Sequence, residues 1–154
     1  MENVKTLSVE EVLKEGIEFA GDVCYSGEYG QQVYSEPMED GGEPITGLLY
    51  EKYNNGNINY YCFYKNGVAS GESVEFYASG KLKSYCVMDR GQVFGEKTIW
   101  YEDGTVKLQE QCKYGIVISS KEFDKKGVIV SEKKEPDSFE SRLLEKYERL
   151  YEGK

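Results

Sequence analysis

At 154 residues the chain has room for one domain with a real core, and it carries a net charge of −9 without a single histidine. Acidity opposes nonspecific binding to nucleic acid or anionic membranes. The absence of histidine removes the usual neutral-pH general base, the Ser-His and Cys-His nucleophile pairs and the commonest zinc ligand. Four cysteines, Cys24, Cys62, Cys86 and Cys112, include no CxxC pair, so zinc-ribbon and thioredoxin-like chemistry fail on spacing, and no cofactor or metal is expected. No apolar run approaches the roughly 18 residues of a membrane span. Residues 1–5 show no basic stretch leading into an apolar one, which makes the cytoplasm the expected compartment.

The charge is uneven. Residues 1–46 hold 11 acidic and 2 basic side chains, residues 47–131 hold 10 and 11, and residues 132–154 hold 7 and 6. The surplus therefore sits in the first third, where it serves solubility or attracts a basic partner.

In chain order, a helical segment over residues 1–21 comes first: Ser8 and Glu11 form a capping box and Gly16 a stop. Residues 22–46 read as an acidic first hairpin around Val23-Cys24-Tyr25 and Gln32-Val33-Tyr34. The Pro- and Gly-rich loop after it carries Glu36, Glu39, Asp40 and Glu43. Residues 47–131 repeat every 24 residues. Gly47, Gly71 and Gly95 form one series, Gly56, Gly80 and Gly104 a second, and Gly67, Gly91 and Gly115 a third; Tyr53, Tyr77 and Tyr101 each stand three residues before a turn glycine. Ser119 and Gly127 mark a degenerate fourth unit. Glycine turns at two places per period make each repeat a β-hairpin, and consecutive hairpins an antiparallel meander. Strict alternation puts Ile58, Tyr60, Cys62 and Tyr64, with Leu82, Cys86, Val106 and Cys112 one and two periods on, on one core-facing side. Aromatics on both parities of the preceding strands predict cover on each face of the sheet. Cys62 and Cys86 then lie two strand spacings apart, about 9–10 Å, beyond the roughly 7 Å that a disulfide spans, so free thiols are expected. A last helix over residues 137–152, with Asp137 and Glu140 as its cap-like start, gathers Phe139, Leu143, Leu144, Tyr147, Leu150 and Tyr151 at three- and four-residue spacing, as a cap on the open end of the array. The expected fold is one mainly-β domain, residues 1–154, with a short N-terminal and a capping C-terminal helix.

The residues Phe76-Tyr77, Gly80, Leu82, Gly91 and Gly95, with their equivalents one period either side, resemble MORN-variant repeats. With the preceding segment from Val33-Tyr34 to Gly47, the chain is similar to the YwqK-type antitoxins over residues 22–132. That resemblance implies a non-catalytic bacterial cytoplasmic protein that binds and neutralises a cognate toxin, of nuclease or deaminase type. The alternative is a MORN-repeat scaffold or membrane-proximal interaction module, against which the acidity argues. An enzyme would need a carboxylate pair such as Glu72 and Glu75, with no nucleophile beside it. The expected partner surface comprises Glu36, Glu39, Asp40 and Glu43, with Tyr53, Tyr77 and Tyr101 as a second stripe.

Overall fold

A computed structural model describes residues 5–20, 23–27 and 31–153. The boundary at residues 21–22 between the helical segment and the first hairpin lies outside the described residues, as do residues 1–4. The chain begins with α1 (Val9–Glu15), β1 (Ile17–Glu18), β2 (Cys24–Ser26), β3 (Gln32–Tyr34) and a 3-10 turn (Met38–Asp40). The repeats supply β4 (Gly47–Lys52), β5 (Ile58–Lys65), β6 (Val68–Phe76), β7 (Leu82–Asp89), β8 (Gln92–Val93) and β9 (Gly95–Trp100). They continue through β10 (Val106–Lys113), β11 (Ile116–Phe123) and β12 (Ile129–Lys133), and α2 (Ser138–Glu152) comes last. From β4 onward the strands form an antiparallel meander in chain order, with β8 a short side pairing on β7 and β1 added in parallel to β4. β2 and β3 pair separately.

The glycine series correspond to two different turns. At one end of the hairpins, Gly56 N–H donates to the Tyr53 carbonyl (2.9 Å) and Tyr53 N–H to the Asn57 carbonyl (2.8 Å); Tyr77 and Tyr101 repeat the pattern. Only the glycine there has positive φ, the geometry of a type I turn closed by a left-handed glycine. At the other end, Asn66-Gly67, Arg90-Gly91 and Tyr114-Gly115 have positive φ at both residues, as a two-residue type I′ turn requires. Arginine and tyrosine tolerate that region poorly.

Each tyrosine ahead of the first turn ties its hairpin to the next. Tyr53 donates its hydroxyl to the Phe76 carbonyl (2.6 Å), Tyr77 to that of Trp100 (2.5 Å) and Tyr101 to that of Phe123 (2.8 Å). The fourth turn keeps the backbone pattern with Asp124 in the tyrosine's place, and among the described residues no further hairpin comes after it to be held.

The expected core face needs correction. Three residues after each of these turn glycines the register skips one residue: Asn59, Lys83, Lys107 and, in the last unit, Val130. A bulge at that point reverses the parity behind it. Ile58 therefore joins Tyr61 and Val74 rather than Tyr60 and Cys62. Tyr50, Tyr61, Val74, Tyr85 and Thr98 line up across one face, and Leu49, Cys62, Ser73 and Cys86 across the other. Both faces are covered, as the aromatics on both parities predict. On the first, α1 buries Val12 against Leu48, Tyr50, Ile58, Tyr61 and Val74, and Leu7 N–H donates to the Tyr61 hydroxyl (2.9 Å). On the second, Val33 and Ile45 of the acidic hairpin region pack on Leu49. Ile58 is buried, while Leu82 and Val106 are half-buried, so the ridge along the array thins away from α1.

Both helices start as expected. Ser8 and Glu11 complete one capping box, Asp137 and Glu140 the other. α2 does not lie along the outer strand, because Ile129–Glu132 stay exposed. It is gripped by Lys133 bonding Glu140, by Lys113 pairing with Glu148, and by Tyr114 stacked among Tyr147 and Tyr151. The Arg90 guanidinium lies 4.7 Å from the Tyr151 ring centre.

The tyrosine rung makes a test. Tyr77→Phe keeps the ring and leaves the Trp100 carbonyl without its donor, so it should cost about 1–2 kcal/mol. Urea unfolding of the two proteins should show a lower midpoint with an unchanged slope.

Candidate partner-binding surface

The acidic loop is held rather than loose. Ser35 N–H donates to the Glu43 carbonyl (3.0 Å), and Glu43 N–H returns to the Ser35 hydroxyl (3.3 Å), closing the base. Pro37 and the left-handed Gly41 bracket the 3-10 turn, and Met38 N–H donates to Ser26 Oγ (3.0 Å). Gly42 is required sterically: a Cβ there would meet the Glu36 carbonyl oxygen at 1.8 Å. Glu36, Glu39, Asp40 and Glu43 are all exposed on this frame, and none of the four joins an ion pair with a described residue. Four carboxylates within eight residues, fixed on one loop and unneutralised, form a focused negative site.

Sequence reasoning missed two exposed apolar side chains: Met38 on the loop itself, and Tyr25 on β2, whose ring packs on Phe19 (5.6 Å between ring centres) rather than on the loop. Tyr25 is 63% exposed and Met38 48%. Alternation could not single them out, since β2 is three residues long and Met38 sits in a loop.

Tyr53, Tyr77 and Tyr101 line up as the period requires, but their hydroxyls are spent on the next hairpin and the rings are half-buried. The bulge residue Lys83 lies over Tyr77 (5.7 Å to the ring centre), while Lys107 and Lys125 flank Tyr101 (5.7 and 5.6 Å). The stripe thus has a basic border, opposite in sign to the acidic loop.

Glu72 and Glu75 do not form a pair. They belong to rows on opposite faces of β6, where Glu72 accepts from the Tyr85 hydroxyl (2.8 Å) and Glu75 from Ser84 (2.7 Å). The cysteines are free, and Cys62, Cys86 and Cys112 are buried. Burial pushes the Cys62 thiol up to about 11, against a smaller opposing effect of Ser73. Such a thiol is a packed small hydrophobe, not a nucleophile.

Over 63 residues the chain is 36% identical to the immunity protein YwqK of Bacillus subtilis, a stretch covering 41% of this chain and 40% of that protein. No family model matches the chain, and no solved structure matches it. Among the described residues no helix is long and apolar enough to cross a membrane.

Two outcomes are expected of this geometry. Gly42→Ala should cost about 1–3 kcal/mol by forcing the loop off its frame. Amide resonances of residues 35–44 should move while those of β5 to β10 hold. The second outcome concerns alkali. Burial raises Tyr64, and burial with the Glu72 bond raises Tyr85, each to about 12. With Cys62, these groups keep their protons in the folded state to higher pH than in the unfolded chain, where a thiol titrates near about 8.5 and a phenol near about 10. The unfolded state binds fewer protons above that point, so their contribution is intact below about pH 8.5 and declines as pH rises through 11 to 12. Urea midpoints should fall between about pH 8 and pH 11.

Proposed function

We propose that this protein is a non-catalytic immunity protein that binds a cognate protein toxin and blocks it, with Glu36, Glu39, Asp40 and Glu43 making the electrostatic contact. The observation that carries the reading is a fixed loop of four exposed, unpaired carboxylates in a chain that matches a named immunity protein over 63 residues. A toxin acting on nucleic acid, of nuclease or deaminase type, needs a basic cleft for its phosphates, and such a cleft is the natural complement of this loop. Rigidity helps, because a preorganised loop loses little entropy on docking. MORN-variant hairpins then serve as the scaffold of a single cytoplasmic domain with no nucleic-acid, membrane or cofactor role of its own. Tyr53, Tyr77 and Tyr101 offer ring surface for a second contact.

The lysines beside those rings favour a second reading, a repeat scaffold that presents the stripe to an acidic protein. Binding kinetics with the co-purified toxin separate the two. Glu36→Gln, Glu39→Gln, Asp40→Asn and Glu43→Gln together should slow association at low salt by roughly ten-fold or more and flatten its salt dependence, with the fold intact. An unchanged low-salt association rate rules out the loop and moves the contact to the tyrosine stripe.

A further inference from the structure

The outward face of α2 is chemically the reverse of the acidic loop. Arg142, Lys146 and Arg149 are exposed at one-turn spacing, and none of them joins an ion pair with a described residue. Phe139 and Leu150, 62% and 63% exposed, stand at the two ends of the same stripe. Glu145 is the one acidic side chain among them, which leaves the face net positive. The acidic loop pairs four free carboxylates with exposed Met38. Each surface thus holds unpaired charge of one sign beside uncovered apolar groups, and each lacks what the other has. The loop lies between β3 of the separate hairpin and β4, the first strand of the array, and α2 comes directly after the strand that ends it.

We propose that these two surfaces recognise each other between copies of the chain: the basic, apolar face of α2 docks on the acidic loop of a second molecule. Charge opposition sets the orientation and the association rate, and burial of Phe139 and Leu150 against Met38 supplies the contact that persists. A two-fold arrangement satisfies both contacts at once and closes as a dimer, whereas a single contact per copy extends into an open chain. No toxin is needed for this association, so its failure would leave the immunity reading untouched.

Sedimentation velocity of the protein alone tests it. At low salt the mass should exceed that of the monomer and rise with concentration, falling back in about 1 M salt, where the Debye length is about 3 Å. Arg142→Glu, Lys146→Glu and Arg149→Glu in one variant, and Glu36→Lys, Glu39→Lys, Asp40→Lys and Glu43→Lys in another, should each be monomeric. Mixed in equal amounts they should associate again, because each now carries the other's complement. Circular dichroism of each variant confirms the fold. The milder Arg142→Gln, Lys146→Gln and Arg149→Gln variant, which keeps helix propensity, should weaken association about ten-fold. A wild-type monomer at low salt, or folded variants that fail to associate on mixing, would overturn the proposal.

Discussion

The fold depends on one hydrogen bond made again and again: a tyrosine hydroxyl, placed just before a tight turn, donating to the carbonyl of the residue that precedes the equivalent tyrosine of the next hairpin. A lone two-stranded hairpin is marginal in water. Here each turn is held by the turn after it, and the ring that carries the hydroxyl also fills the gap between them. The interaction fixes the repeat length, because the acceptor must lie one hairpin away, 23 residues on for Tyr53 and Tyr77. It also explains where the array stops. Tyr101 still has an acceptor, at Phe123, whereas position 124 is an aspartate whose carboxylate turns back to accept from Lys126 and Val128 of its own turn.

Much of this was legible in the sequence because turns and caps are local. Glycine at three registered positions reports backbone conformation directly, and Ser8 with Glu11 or Asp137 with Glu140 specify a helix start within four residues. The face of each strand was not legible. Alternation assumes an unbroken pleat, and the bulges at Asn59, Lys83 and Lys107 break it without any signature of their own. Asn55-Gly56 and Asn66-Gly67 look alike as dipeptides yet make different turns. Only Asn66 enters the left-handed region, because the strands meeting there leave two residues to the loop instead of five. The acidic loop was visible as composition, but its rigidity depends on Ser26, Ser35 and Gly42, whose roles appear only once the chain has closed on itself.

Tyr114 shows how the array is joined to the C-terminal helix. A tyrosine in a type I′ turn is a poor local choice, with φ of 54°. Its ring is nevertheless buried, set edge-on to Phe94 and against Tyr147 and Tyr151, while its hydroxyl donates to Glu152. Burial, with the Glu152 and Glu148 carboxylates beside it, pushes the phenol up to about 12. The turn thus gives up backbone comfort to provide the anchor on which α2 rests, a local conflict resolved by a nonlocal contact.

Charge obeys the same division between what must repeat and what is free to vary. Within the array, the tyrosines, turn glycines and bulge residues are bound by the geometry of the next hairpin, and several lysines lie over tyrosine rings of the array. Changing them for a partner's sake would disturb the stacking. The segments before and after the array carry no such obligation. The acidic loop needs only its base closed by Ser35 and Glu43, and α2 needs only its inner face. Their outward side chains can therefore vary without loss to the fold, and the uncompensated carboxylates and the uncovered cations are found at the two ends of a nearly neutral array.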